Sequence, residues 1–362
     1  MKIAIHKRQG SYSDQWIEYC KFHQIDFKIV NCFDNDIIKQ LDDCDALMWH
    51  WPFWDYQAIQ FARQLTQALE QTGILVYPDI ETSWHYDDKI GQKYLLEAIK
   101  APLVPTMVFY DKNEALEWCQ KSTFPKVFKL RGGASSVNVK LVRNKSHAIR
   151  LINTAFGKGF STVNRVALFK DRILAFRKNK NSNSLIGVIK GIARLFVPTD
   201  FERNRSREKG VIYFQDFIPE NQFDTRVYVM GDHAFGLKRY VRKNDFRASG
   251  SGLNIFDREQ INTECVKIAF DLTQKLLSQS IAFDFIYKDN QPMLVEISYA
   301  SVQKVYLNCP GYWDRQLKWH EGTFRIEHII IANLIKQFEN KQKTILQPKI
   351  LPQLTVNMIS AS

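Results

Sequence analysis

Two carboxylates, Asp284 and Glu296, lie in the run I-A-F-D-F-I-Y-K-D-N-Q-P-M-L-V-E-I-S, where apolar stretches flank the turn-forming K-D-N-Q. That pattern predicts two strands joined as a hairpin, which brings both acids to one place. Carboxylates forced together repel unless a proton or a cation lies between them. Mg²⁺ takes oxygen ligands, usually one or two carboxylates together with phosphate oxygens and water. Ser298, two residues beyond Glu296, faces the same side of the strand and offers a hydroxyl as a third, weaker ligand. A hairpin with ordinary solvated acids fits the same pattern.

Cations follow the same logic. Lys129 ends the strand-like P-K-V-F-K-L and precedes R-G-G-A-S-S, where Gly132 and Gly133 let backbone N–H groups approach a phosphate closely. Lys89 opens a helical pattern, against the local dipole, so a nearby anion would suit it. Arg226 in D-T-R, Arg239 beside Lys238 in L-K-R-Y, and Arg247 in D-F-R-A-S-G carry guanidinium forks that match phosphate or carboxylate. Solvated surface charge is the plainer reading of each.

These residues must be held by elements that the spacing also predicts. Over residues 3–77 short apolar strands (3–6, 27–30, 46–49, 74–77) alternate with helical patterns (14–23, 36–41, 56–71), and Gly73 stops the last helix. That order predicts a small parallel sheet with helices on its faces. A second unit begins near residue 87, with a helix over 89–98, strands at 108–110, 126–130 and 139–142, and helices at 114–120 and 146–155. Strands resume from 211 to 297, and a helix over 326–338 precedes an extended tail.

Residues 170–209 interrupt the pattern with eleven Lys/Arg against four Asp/Glu, and with an apolar stripe of Leu185, Ile186, Val188, Ile189, Ile192, Leu195 and Phe196 at helical spacing. Two readings stand. The insert docks on an anionic polymer or the inner leaflet of a membrane, or its stripe packs inward and its charges are merely solvated.

The chain has 362 residues, 45% of them hydrophobic, enough for two or three packed subdomains. A net charge of +12 favours anionic partners without choosing among them. No nucleic-acid module is recognisable, so nucleic acid is not an expected partner. The six cysteines are scattered without a C-x-x-C pair, and the N-terminus lacks a signal-peptide core. Both features suit reduced thiols in a cytoplasm. No apolar run approaches the length of a membrane span.

The ordered series Lys89, Lys129, Q-D-F-I, D-T-R, K-R, D-F-R-A-S-G, Asp284 and E-I-S resembles the ATP-grasp superfamily, nearest its ribosomal-protein glutamate ligase and glutathione synthetase branch, over roughly residues 85–300. The resemblance implies an α/β chain, α+β in its ATP-grasp part. A Rossmann-like pre-ATP-grasp domain over residues 1–84 would precede two ATP-grasp subdomains, 85–210 with the basic insert 170–209, and 211–340, before a tail over 341–362. It implies ATP and Mg²⁺. Lys89, Lys129 and Lys238 would serve the nucleotide, Gln215, Asp216, Phe217 and Ile218 would line the adenine, and Asp224 would face the ribose. Arg247, Ala248 and Ser249 would lie along the triphosphate, Asp284, Glu296 and Ser298 would hold Mg²⁺, and Arg226 and Arg239 would steady the transferred phosphoryl group.

The chain departs from the family in three places. It has Ser298 where relatives carry Asn, D-F-R-A-S where they carry D-F-R-x-N, and Ser298-Tyr299-Ala300-Ser301 where they carry an Asn-x-Pro-Gly-type continuation. The implied activity is an ATP-dependent carboxylate–amine ligase working through an acyl phosphate. Its partners would be a small-molecule or glycan carboxylate and an amine acceptor, with an amino acid or amine attached to an acidic sugar of a surface polysaccharide. The alternatives are a kinase of a sugar or polyol hydroxyl on the same fold, and a non-catalytic nucleotide-binding protein. A mobile lid is expected at 132–136 to keep water from the acyl phosphate. The aromatics at 49–55 and 304–321 suit either sugar stacking or core packing, with His320 a candidate base for the amine.

Overall fold

A computed structural model describes residues 1–132, 138–161, 165, 169, 172–173, 176–177, 180–197, 206–242 and 245–346. The expected lid therefore lies, from Gly133 to Ser136, outside the described residues, as do parts of the basic insert and all of 347–362.

The N-terminal alternation folds as its spacing predicts. Strands β1 (Lys2–His6), β2 (Asp26–Val30), β3 (Ala46–Met48) and β4 (Leu75–Tyr77) pair in parallel in the order β2-β1-β3-β4. Between them run α1 (Tyr12–Phe22), α2 (Ile37–Gln40) and α3 (Tyr56–Gln71). Ile3, Ile5, Leu47 and Met48 have no exposed surface, because helices and a neighbouring sheet cover both faces of a parallel sheet.

Two short helices follow, α4 (Ile80–Ser83) and α5 (Lys89–Ala98). Asp88 caps α5 by accepting from the Ile90 and Gly91 N–H groups. Lys89 is thus fixed in the first helical turn.

The second sheet is antiparallel and small. It contains β5 (Thr106–Phe109), β6 (Lys126–Lys129), β7 (Lys140–Val142) and β8 (Ile212–Asp216) in the order β5-β8-β6-β7, backed by α6 (Lys112–Lys121) and α7 (Lys145–Ala155). Strand β8 corrects the expected boundary at 210/211, since the chain returns after the insert to fill the centre of this sheet. Within the insert, α8 (Ser182–Phe196) forms where the stripe predicts.

The third sheet has seven strands. β9 (Phe223–Met230), β10 (His233–Tyr240), β11 (Asn254–Ile255), β12 (Ser280–Lys288), β13 (Gln291–Ser298), β14 (Gly311–Trp313) and β15 (Trp319–Glu321) run in the order β13-β12-β9-β10-β14-β15, with β11 on β10. α9 (Thr263–Lys275) covers one face of this sheet. α10 (Gln303–Tyr306) and α11 (Ile326–Leu346) lie on the other, where Ile330, Ile331 and Leu334 share one core with Ile3, Trp16, Tyr228 and Phe235. α11 continues through 341–346, where an extended tail was expected.

Candidate active site

A cleft of about 260 Å³ separates the small sheet from the β12–β13 hairpin. The hairpin closes through Asp289 and Asn290, whose φ values of 50° and 63° suit a two-residue turn matched to strand twist. Its register places Asp284 opposite Glu296, and the next strand places Arg226 opposite Asp284. One row across three strands thus reads carboxylate, carboxylate, guanidinium.

Asp284 is held hard. Arg226 donates to both of its oxygens, Nε to Oδ1 at 2.6 Å and Nη2 to Oδ2 at 2.8 Å, and Arg239 Nη2 lies 2.9 Å from Oδ2. Arg239 also grips Asp224 at 2.7 and 2.6 Å. Bidentate guanidinium–carboxylate pairs are the strong, orienting kind. Burial alone would raise the Asp284 pKa, but the two guanidiniums outweigh it and hold the carboxyl well below the usual range. Glu296 is freer, with a third of its side chain exposed and Lys89 Nζ 3.3 Å from Oε1.

The lysines are the reverse of surface charge. Lys89 and Lys129 are 6% and 8% exposed. Lys129 Nζ donates to Gln215 Oε1 at 2.7 Å and to the Val295 carbonyl at 3.3 Å, and among the described residues no carboxylate lies within ion-pair distance of it. Burial, partly offset by Glu296 and reinforced by Lys89, pushes its pKa down to about 8. A buried cation bonded only to neutral oxygens is under-compensated, and the cleft beside it suits an anion.

The remaining predicted residues sort by placement. Gln215, Asp216, Phe217 and Ile218 line the cleft at its β8 end, with the Asp216 carboxylate on Lys126 Nζ at 2.6 Å. Asp224, Arg247, Ala248 and Ser249 line it as well, Arg247 being paired with Asp245 at 2.6 Å. Arg239 is enclosed by its two carboxylates and lines neither this cleft nor its neighbour. Lys238 is not brought in: it faces the other side of β10, with Nζ 3.8 Å from the Phe223 ring.

A divalent ion fits the donor set at the hairpin. Mg²⁺ needs only one or two protein carboxylates when phosphate supplies further oxygens. Asp284 and Glu296 provide that pair, and no group of three or more His, Cys, Asp or Glu suited to a metal occurs among the described residues. Ser298 donates to the Ala300 carbonyl at 2.8 Å and lines the adjoining cleft rather than the one that Asp284 lines.

That second cleft, about 320 Å³, meets the first at Ser249 and Glu296 and lies between the hairpin end and the N-terminal sheet. Arg226 and Ser298 line it, with Arg8, His50 and Trp54 on the far wall. Arg8 Nε and His50 Nε2 are buried without a hydrogen-bond partner among the described residues. The His50 ring stacks on Tyr12 at 3.8 Å, and burial, aided by Arg8, pushes its pKa down to about 3, so the imidazole is neutral. The Arg8 guanidinium sits 4.7 Å from the Trp54 ring centre. Tyr299, wholly buried, packs on His50 and Tyr86 behind the cleft wall and donates to the Trp51 carbonyl at 2.6 Å.

Arg8 was missed from sequence, yet a signal existed. Arg8 and His50 each follow the carboxyl end of adjacent parallel strands, β1 and β3, where ligands of α/β sheets gather. The aromatics of 49–55 divide, with Trp49 and Trp51 in the core and Phe53 and Trp54 at the cleft. Of those at 304–321, Tyr306 is buried against Tyr228 in the central core, whereas Tyr312, Trp313 and Trp319 lie at the opposite edge of the sheet. There His320 Nε2 meets Asp314 at 2.6 Å, remote from the hairpin strands that carry the carboxylates.

Residues 197–308 match the family model of the RimK-like ATP-grasp domain. Similar solved structures include a D-alanine–D-alanine ligase from Bacillus anthracis, at 13% identity over 95% of this chain and 99% of that one, with a TM-score of 0.54. The RimK domain protein ATP-grasp from Sphaerobacter thermophilus DSM 20745 matches at 13% identity over 93% and 100%, with a TM-score of 0.53. The biotin carboxylase domain of Hydrogenobacter thermophilus 2-oxoglutarate carboxylase matches at 12% identity over 91% and 68%, with a TM-score of 0.56. The B. anthracis ligase was also solved with ATP, and the carboxylase domain with MgADP. Likeness at this identity establishes the fold, which is ATP-grasp. No curated protein matches the sequence.

Proposed function

We infer that this chain, with an ATP-grasp fold and a RimK-like ATP-grasp domain over residues 197–308, is an ATP-dependent carboxylate–amine ligase. The observation that carries the reading is Lys129, buried and bonded to neutral oxygens beside the carboxylate hairpin, with buried Lys89 next to it on Glu296. ATP occupies the first cleft, its adenine against Phe217 and Ile218 and its phosphates toward the lysines. Mg²⁺ held by Asp284 and Glu296 would neutralise phosphate oxygens.

The acid substrate lies in the second cleft, its carboxylate directed by Arg8 and Arg226 toward Glu296, where the two clefts meet. The carboxylate takes the terminal phosphoryl group of ATP, leaving ADP and an acyl phosphate, and an amine then displaces phosphate to form the amide. No side chain has to act as nucleophile. The chain's work is positioning and charge: Arg226, fixed by Asp284, presents its guanidinium to the second cleft. Trp54, 57% exposed beside Arg8, offers the kind of flat face that a sugar ring covers. An acidic sugar, of the sort found in surface polysaccharides, therefore suits this cleft. ATP use and the six buried, unpaired cysteines suit a cytoplasmic setting.

The test is ADP release from the purified chain with ATP, Mg²⁺ and panels of carboxylic acids and amines. Release that needs both an acid and an amine, with the amide found by mass, supports the ligase. Release with an alcohol alone would make the chain a kinase. ATP binding without turnover on any pair would make it a nucleotide-binding protein.

A further inference from the structure

The apolar stripe of α8 faces solvent. Leu185, Ile186, Ile189, Ile192 and Phe196 are 45, 47, 60, 49 and 79% exposed. Their three- and four-residue spacing makes one continuous face. The side that packs is a different one. A Cβ at Gly191 would come within 2.9 Å of the Phe169 ring, and Arg172 Nη1 donates to the Gly187 carbonyl at 3.1 Å. Val188 and Leu195, the remaining members of the expected stripe, are only partly exposed and border this packed side. The inward-packing reading of the insert is thereby overturned for its largest apolar residues.

The surroundings of that face are cationic. α8 contains Lys190 and Arg194 and no acid. Those two, four residues apart, run along one margin of the apolar face. At the other margin Arg165 Nη1 donates to the Leu195 carbonyl at 3.0 Å. The helix also closes its own N-terminus, with Asn181 and Ser184 bonding reciprocally, so it is formed before anything docks on it.

We propose that α8 lies in the plane of an anionic lipid surface, its apolar face in the acyl boundary and its flanking cations among the headgroups. At fifteen residues it is too short to span, and no described helix is long and apolar enough to do so. Charge selects this occupant over a second copy of the chain. Face-to-face packing of two such helices sets Lys190 and Arg194 against like charges, whereas acidic headgroups neutralise them. The proposal stands independently of the ligase reading.

Flotation of the full chain with vesicles tests it. Vesicles of phosphatidylcholine mixed with phosphatidylglycerol should carry the protein upward at low salt, phosphatidylcholine alone should not, and added salt should release it. Lys190→Gln with Arg194→Gln should weaken partitioning by roughly tenfold or more. Ile189→Asp with Phe196→Asp should abolish it, while ATP binding and the unfolding midpoint stay at wild-type values. Three results would overturn the proposal. The wild type could leave the acidic vesicles unbound at low salt. It could bind a soluble polyanion but no vesicle. It could sediment as a dimer that Ile189→Asp dissolves.

Discussion

The nucleotide cleft and α8 invert the usual placement of residues in opposite directions. Lys89 and Lys129 in the cleft, and Arg239 behind it, are each less than one-tenth exposed, although such side chains ordinarily reach water. On α8, Ile189 and Phe196 are 60% and 79% exposed, although such side chains ordinarily leave it. Each arrangement works against stability, and each presents what a ligand would complete. Among the described residues no carboxylate lies within ion-pair distance of Lys129, and the apolar stripe of α8 is left exposed.

The cleft's inversion is enforced by neighbours. Asp284 binds Arg226 and Arg239, and Arg239 binds Asp224, so no member can move alone. On the helix, the contacts among the described residues fix its inner side and leave the apolar face exposed. Removing a partner should therefore be severe in one region and nearly silent in the other.

Asp284→Asn is the sharpest way to break the contrast. ADP release should fall on the order of a thousandfold, because the charge that the developing phosphoryl transfer meets is lost. Retained activity would refute the hairpin as the reactive site. The same variant should cost about 3–5 kcal/mol of stability, read from denaturant unfolding, since it leaves two buried guanidiniums short of charge. Asp284→Leu combined with Arg226→Leu should recover much of that stability and none of the turnover, separating the structural part of the network from the chemical part.

Lys129→Met should be milder, weakening ATP binding by about 1.5–3 kcal/mol, the range for a hydrogen bond to a charged group. Calorimetric titration against pH refines this. With its pKa down at about 8 in the free protein, Lys129 is protonated below that value and loses its charge above it. Affinity for ATP should thus decline as pH rises through about 8, and Lys129→Met should remove that decline. For folding the sign is the opposite. The fold favours the neutral amine, so this group makes the protein more stable as pH rises from about 8 toward the ordinary lysine range.

The smallest effect belongs to α8. Ile189→Ser with Phe196→Ser should change the unfolding free energy by no more than about 0.5 kcal/mol, because neither side chain leaves a core. A larger loss would mean that the face is covered.

Much of the cleft was legible before any coordinates. The K-D-N-Q turn brought Asp284 and Glu296 into one hairpin, but a bulge beside Asp284 set the two opposite each other, and only the pairing of β12 with β9 set Arg226 beside them. Lys238 was within reach of the same reasoning. Strand neighbours face opposite sides, so Lys238 and Arg239 cannot share a site. Strand β8 was not legible as part of the small sheet, because it reaches its partners β5 and β6 only after the insert. Arg8 was legible only through the topology of β1 and β3.

Local spacing told which side chains share a face, since the periods of helix and strand are set by backbone geometry within a few residues. It fixed the hairpin, the helix at 182–196 and the alternating N-terminal sheet. It left open which face would be covered, for a stripe of Leu and Ile reads the same whether a core or water lies beyond it. Tertiary structure settled that question. It enclosed Arg239 between two aspartates, set Arg8 across the second cleft from the hairpin, and left Ile189 exposed, because burial depends on contacts between residues far apart in the chain.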